Sequence, residues 1–178
     1  MILDSYNKEL AETYKVLANL FTTLPNDELI EQMQEELELN IKEPLDAIVE
    51  DYNRLFYGTT DTLPPIESLY VYNKNPSTEY YQVPDIVSDF YRSCGVDLNE
   101  QLTQLPPDHI AIEFIFISYL IENNLIDELR AFFKEHIIKW VPLYCDMIQE
   151  RAQTQFYKEV AAITKEIVLS DYEEILGE

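Results

Sequence analysis

Residues 106–120 constrain this chain most, because two prolines, an acid and a histidine stand directly before its most apolar run. The proline pair ends one element, and Asp108 is predicted to accept backbone N–H groups at the start of the next. The apolar run that follows requires a hydrophobic core to bury it. A titratable pair, Asp108 and His109, is therefore predicted at the edge of that core, a position suited to a site.

The apolar run, residues 110–121, fits two kinds of secondary structure. Ile110, Ile112 and Phe114 alternate as in a strand, and β-branched residues are frequent. Its length, its helix-type start and the helical patterns on both sides favour a helix that is buried nearly all round. Glu113 interrupts the run, which is also shorter than the roughly 20 residues that a membrane helix needs.

Apolar residues recur at intervals of three and four through most of the remaining chain, which predicts amphipathic helices. The predicted helices cover about residues 3–24, 27–39, 44–56, 78–94, 110–121 and 126–140, and Pro142 is predicted to open a last long helix. Between them lies an irregular segment, residues 59–78, whose Leu69, Tyr70 and Tyr72 are expected to pack onto the body. With 178 residues and only 3 glycines, the chain is predicted to be a single all-α domain spanning 1–178.

The formal charge of −22 argues against several classes of function. Such a field repels phosphate backbones and anionic lipid, so we expect neither nucleic-acid binding nor direct membrane insertion. Residues 27–51 form an acidic block in which Lys42 is the only base. This block is either a solvated helix face or a docking surface for a basic partner, and the pattern favours the solvated face.

The cysteines and the N-terminus indicate a compartment. Cys94 and Cys145 do not have the number or spacing of a disulfide-stapled secreted scaffold. The first residues lack the basic and apolar regions of a secretory signal, so we expect a cytoplasmic protein. His136 is the second histidine, and without an HExxH motif or a cysteine pair we predict no metal site and no cofactor.

The residues best suited to chemistry are Asp108, His109 and Glu113, an acid–imidazole group beside a buried helix. His109 and Glu113 are four residues apart and share a helix face, within hydrogen-bonding reach. Such a group suits general acid–base catalysis or metal binding. Alternatively, Asp108 caps the helix and His109 is satisfied by Glu113 or a backbone carbonyl, and the residue types favour this structural role.

Several short motifs follow one another over residues 52–157, within a pattern that extends over about residues 6–167. They read Tyr52-x-x-Leu55-Phe56, Pro64-Pro65-Ile66-Glu67-Ser68-Leu69-Tyr70, Tyr91-x-x-x-Gly95, Leu105-Pro106-Pro107-Asp108-His109, His136-x-x-x-Trp140-x-Pro142 and Ala152-x-x-x-Phe156-Tyr157. In order and spacing this set resembles the TorD/DmsD/NarJ family of redox-enzyme maturation chaperones. Leu105 stands where the family signature has a glutamate, and Ile66 stands where the loop has an aromatic residue.

The resemblance implies an all-α, single-domain helical bundle of the TorD-like type that is a chaperone and not an enzyme. It implies a cytoplasmic monomer or homodimer that binds the precursor of a molybdopterin oxidoreductase catalytic subunit, often through its N-terminal twin-arginine leader. Such a chaperone assists molybdenum-cofactor insertion and delays export until the client has folded.

A twin-arginine leader is a basic segment followed by an apolar one, so its receptor needs carboxylates beside an apolar groove. Their motif positions assign Glu67, Asp108 and Glu113 to the arginines, and Tyr70, Tyr91, Phe116 and Trp140 to the groove. Ser68 and His109 are assigned to the same leader-binding site. Two alternatives stay open: a small hydrolase-like enzyme that uses Asp108, His109 and Glu113, and an acidic helical adaptor that uses the 27–51 block.

Overall fold

The structure, a computed structural model, describes residues 2–36, 38–71, 82–99 and 103–176, and within these ranges it contains helices and no sheet. The helices are α1 (Ile2–Leu20), α2 (Asp27–Glu36), α3 (Leu45–Tyr52), α4 (Val83–Ser93), α5 (Ile110–Glu122), α6 (Ile126–Phe132), α7 (Ile138–Arg151) and α8 (Gln155–Leu176). A π-helical turn extends α3 over Asn53–Tyr57, another joins α6 to α7 over Phe133–Ile137, and a 3-10 turn covers Glu67–Leu69. The predicted all-α fold class is confirmed.

Helix α5 lies in the core and confirms the choice of a buried helix for the apolar run. It packs along α1, while α7 packs along α8. Ile110, Phe114, Ile117 and Leu120 have no exposed surface. Each such side chain contributes about 1.5–3 kcal/mol through its removal from water. The burial of Glu113 on the same helix therefore has to be stabilised by specific partners.

The other helices follow the predicted pattern with shorter ends. The first helix ends at Leu20 instead of residue 24, and the third ends at Tyr52 before its π-helical turn. The predicted start of the fourth helix at Thr78 and the predicted packing of Tyr72 lie outside the described residues. The single-domain organisation over 1–178 stays a prediction.

The prediction that Pro142 opens the last helix is wrong. Pro142 lies inside α7, and this helix ends ten residues later, where Ala152 has an extended backbone. A proline within a helix costs about 3 kcal/mol through its missing N–H and its steric clash. Burial of Trp140, Val141 and Tyr144 on either side outweighs that cost.

Two acids that are distant in sequence hold the backbone at the start of α8. Oδ2 of the buried Asp51 accepts hydrogen bonds from the backbone N–H groups of Gln153 and Thr154, at 2.9 and 2.8 Å, and from the Thr154 hydroxyl at 2.8 Å. The Glu43 carboxylate accepts from the next backbone amides, including that of Phe156 at 3.0 Å. These bonds satisfy N–H groups that the first turn of a helix leaves unpaired. Two acids of the 27–51 block thus have a structural role.

Candidate partner-binding site

Residues 63–71, called the strap below, lie across the start of α5. Ile66 and His109 form an isolated antiparallel bridge. The Ile110 N–H donates to the Pro65 carbonyl at 2.9 Å, and the Glu67 N–H donates to the Asp108 carbonyl at 2.8 Å. The two motifs singled out in the sequence, 64–70 and 105–109, are therefore joined directly by backbone hydrogen bonds.

Asp108 is fully buried and holds the strap instead of capping the helix. Its Oδ2 accepts a hydrogen bond from the Ser68 N–H at 3.0 Å. Its Oδ1 has no hydrogen-bond partner within the described part of the chain. The prediction that Asp108 caps α5 is wrong, because its carboxylate points to the backbone of the strap.

His109 supplies the cap that was expected from Asp108. It is the N-cap residue of α5, and its Nδ1 accepts a hydrogen bond from the Ala111 N–H at 3.1 Å. Burial lowers the pKa of His109 to about 4, so the ring is neutral at pH 7 with its proton on Nε2. Its Nδ1 thus bonds a backbone amide, whereas the sequence suggested Glu113 or a carbonyl as its partner.

Glu113 has no exposed surface and faces α7. The Trp140 indole N–H donates to its Oε2 at 3.1 Å. Burial, followed by the charge of the neighbouring Glu67, raises the pKa of Glu113 well above its ordinary value. This shift favours the neutral carboxylic acid form of Glu113. Glu67, Asp108 and Glu113 together are called the carboxyl cluster below.

The partner of Glu67 is His136, which sequence reasoning did not assign to the site. Nδ1 of His136 lies 3.1 and 3.0 Å from the two Glu67 carboxylate oxygens, and both side chains are buried. His136 belongs to the π-helical turn Phe133–Ile137, a type of turn that occurs frequently at functional sites. The one sequence signal for His136 is its spacing from Trp140 in the motif His136-x-x-x-Trp140, which places the two residues one helical turn apart.

Aromatic side chains enclose the carboxyl cluster. The Tyr70 ring stacks on Trp140 with centroids 5.7 Å apart and planes 12° apart, and its hydroxyl donates to the Pro64 carbonyl at 2.8 Å. Tyr91 packs against Phe116 at 4.4 Å between centroids. These contacts bring the predicted groove residues to the same region as the predicted arginine-binding residues.

The site is closed in this structure. Among the residues assigned to leader binding, Tyr70 is half-buried, and the others are buried. Within the described ranges, no lysine or arginine forms an ion pair with the carboxyl cluster. In those ranges, the Glu67–His136 contact is the one pair between an acid of this cluster and a basic side chain. Within the same ranges, no three His, Cys, Asp or Glu side chains are arranged so that they could hold a metal ion.

An open cleft of about 390 Å³ borders the site. Tyr91 and Pro107 line it, and the Tyr91 hydroxyl donates to the Pro107 carbonyl at 2.8 Å, one residue before Asp108. Leu98 and Leu105 add apolar surface, while Arg92 adds a charged group. Leu105, the departure from the family signature, therefore belongs to the wall of an accessible cleft.

Comparison with known proteins identifies the family. The model of the nitrate reductase delta subunit family matches residues 22–146, which is more than half of the chain. This chain belongs to the nitrate reductase delta subunit family. The resemblance to the TorD/DmsD/NarJ chaperones is confirmed by this match.

Curated relatives and a solved structure agree with this family. The chain is 24% identical over 155 residues to the chaperone protein YcdY of Escherichia coli (strain K12), covering 85% of this chain and 74% of YcdY. It is 24% identical over 165 residues to the perchlorate reductase assembly chaperone protein of Dechloromonas aromatica (strain RCB), covering 84% and 72%. A crystal structure described as a redox enzyme maturation protein, from Archaeoglobus fulgidus, superposes with a TM-score of 0.57 at 20% identity, covering 89% of this chain and 93% of that one. That structure shares the fold of this family member.

None of the described helices is both long enough and apolar enough to cross a bilayer.

Proposed function

We propose that this protein is a system-specific maturation chaperone that binds the precursor of a molybdopterin oxidoreductase through its N-terminal twin-arginine leader. One observation carries the proposal: motifs 64–70 and 105–109 are joined by the 2.8 Å bond from the Glu67 N–H to the Asp108 carbonyl, above a buried carboxyl cluster. Family membership and the assembly role in the name of the Dechloromonas relative support it.

The chemistry of the site suits a basic, then apolar, peptide. A guanidinium group forms two parallel hydrogen bonds to a carboxylate, and Glu67 and Asp108 provide two such acceptors. Tyr70, Trp140 and the cleft beside Tyr91 provide aromatic and apolar surface for the following segment. The net charge of −22 attracts the basic end of a leader over several ångströms.

In this account the chaperone acts in the cytoplasm as a monomer or homodimer. It retains the apoprotein until the molybdenum cofactor has been inserted, and it delays export during that time. It supplies no catalysis and no cofactor of its own. Because the carboxyl cluster is buried, the arginines reach it only when the strap moves, so binding includes a conformational step.

A hydrolase-like function finds less support. General acid–base catalysis needs a group that reaches a substrate. Asp108, His109 and Glu113 are buried, and the first two bond to the backbone N–H groups of Ser68 and Ala111. His109 thus holds a helix start.

An acidic adaptor function has one observation in its favour. Acids of the 27–51 block that remain exposed include Asp27, Glu28, Glu31, Asp46 and Glu50. Binding through them is expected to weaken strongly with added salt and to be insensitive to Glu67. The chaperone account predicts an apolar share of the affinity that persists in salt.

Calorimetric titration with a leader peptide tests the proposed function. We expect Glu67→Gln and Asp108→Asn to weaken binding about tenfold or more, since each removes a charge that meets a guanidinium. Glu50→Gln, which removes an exposed charge from the acidic block, is the matched control and is expected to bind like the wild type. Unchanged affinity in both site variants, with helical content intact, contradicts the assignment of the carboxyl cluster.

A further inference from the structure

We propose that the Glu67–His136 pair is an internal latch, in which His136 occupies the place of an incoming guanidinium and holds the strap closed over the carboxyl cluster. This inference rests on the proposed function, because it names the group that a leader arginine must displace. His136 thereby lowers the affinity of the site for a leader arginine, because it competes for Glu67, and it does not itself bind the client.

The geometry of the pair is that of a substitute for arginine. One His136 nitrogen, Nδ1, lies at 3.1 and 3.0 Å from the two oxygens of Glu67, so a single N–H is shared between them. A guanidinium offers two parallel N–H groups to the same two oxygens and satisfies them better. The pair also links two different segments, the strap and the π-helical turn before α7.

The closed state leaves polar atoms without partners. Within the described residues, Asp108 Oδ1 and His136 Nε2 are buried and make no hydrogen bond. Each buried polar atom in this condition destabilises the closed state, because it has lost its hydrogen bonds to water. The closed arrangement is therefore held together by the Glu67–His136 pair and by the strap, while these buried polar atoms make no hydrogen bonds. A guanidinium, with five N–H donors, supplies a donor to the free Oδ1 of Asp108.

The elements around the latch allow it to open. A π-helical turn contains one more residue than an α-helical turn. Conversion of this turn to α-helical geometry therefore changes the direction of His136 relative to α7. The Phe90 and Phe132 rings contact His136 at centroid distances of 5.9 and 5.0 Å and shield the pair from water. Tyr70, which stacks on Trp140, is half-buried and lies next to the exposed Leu69, so a guest can reach this end of the strap.

Peptide binding by His136→Ala tests the latch. The probe is a synthetic peptide with two consecutive arginines followed by a leucine- and alanine-rich stretch, and its partner peptide carries lysines in place of both arginines. We expect His136→Ala to bind the arginine peptide about fivefold or more tighter than the wild type, because the competitor is gone. Lys134→Gln, an exposed change in the same π-helical turn, is the control and is expected to leave the affinity unchanged.

The lysine peptide separates a specific displacement from general electrostatics. A lysine ammonium has the same charge as a guanidinium but lacks its planar pair of N–H groups. We therefore expect the affinity of the lysine peptide to increase less in the His136→Ala variant than that of the arginine peptide. Equal or weaker binding of the arginine peptide to a folded His136→Ala protein overturns the latch.

Amide hydrogen exchange tests the latch in the wild type, which covers the case in which His136→Ala does not fold. The Glu67 and Ser68 amides bond to Asp108 in the closed state. We expect both to exchange faster when the arginine peptide is bound, because the strap has left α5. Slower or unchanged exchange of both amides in the complex contradicts the latch.

The two proposals fail in different ways. If the wild type binds neither peptide, the leader-binding function is wrong. The latch then still predicts faster exchange of the Glu67 and Ser68 amides in peptide-free His136→Ala than in Lys134→Gln. If the wild type binds and the His136→Ala affinity does not rise, the latch alone is wrong.

Discussion

The Trp140 indole nitrogen lies 3.1 Å from Oε2 of Glu113, and neither side chain has any exposed surface. One helix of the core, α5, contributes the acid, and α7 contributes the donor. Tyr70 of the strap stacks on the ring face of the same tryptophan. Trp140 thus connects the buried acid to the segment that covers it.

Replacing Trp140 by Phe keeps an aromatic ring and removes the N–H that bonds Glu113. We expect a loss of about 1–3 kcal/mol in the free energy of unfolding, because a buried carboxyl oxygen loses its partner. Urea unfolding followed by circular dichroism measures this. Leu143→Ala is the control on the same helix; Leu143 is 51% exposed, and a change within about 0.5 kcal/mol is expected. A Trp140→Phe protein as stable as the control contradicts the assigned bond.

The start of α8 depends on Asp51, which accepts three hydrogen bonds there and pairs with Arg54 at 2.6 Å. We expect Asp51→Ala to reduce the free energy of unfolding by about 3 kcal/mol, since it removes a buried cap and leaves a cation without its partner. Asp46→Ala, an exposed change on the same helix, is expected to have an effect within about 0.5 kcal/mol. Equal stability of the two variants in urea unfolding rules out this role.

His109 makes stability depend on pH below neutrality. Burial lowers its pKa from 6.5 to about 4, so between these values the unfolded chain binds more protons than the folded one. Its contribution is present above pH 6.5 and is lost as the pH falls toward 4. We expect His109→Asn, which retains a good N-cap side chain, to lose less stability than the wild type over pH 6.5–4. Denaturant unfolding at several pH values measures this, and identical profiles contradict it.

Asp171 acts in the opposite direction. Burial raises its pKa from 3.8 to about 6, although the hydrogen bond from the Tyr14 hydroxyl at 2.7 Å counteracts the shift. The folded protein binds more protons between these values, so the contribution is present below pH 3.8 and is lost as the pH rises through 6. We expect Asp171→Asn to gain stability relative to the wild type as the pH rises from 4 to 7. Glu173→Gln, an exposed change on α8, is the control, and a difference from the wild type that does not vary with pH contradicts the prediction.

The helices could be predicted from the sequence, because they depend on local periodicity. The motifs assigned to one site lie together in the structure, while their role in leader binding stays a prediction. Residues 110–121 form a buried helix as expected, and the two proline motifs meet as their resemblance implied. Individual partners were harder to predict. Asp108 bonds to the strap backbone and His109 caps the helix, although both residue types are compatible with either role.

The partners that escaped prediction come from long-range packing. Nothing near Glu67 in the sequence indicates His136, because the π-helical turn that directs the ring depends on tertiary contacts. The position of Pro142 inside a helix is also set by long-range packing, since the cost of the proline is offset by burial in the folded core.

The most direct test of the central claim is photo-cross-linking of a twin-arginine peptide that carries a photoreactive residue directly after its arginines. Mass spectrometry of the digested complex locates the attachment site. The account predicts attachment to the strap, residues 63–71, or to residues 103–109 beside the cleft, and loss of that attachment in Glu67→Gln. Attachment confined to the acidic block, residues 27–51, and unchanged in Glu67→Gln contradicts it.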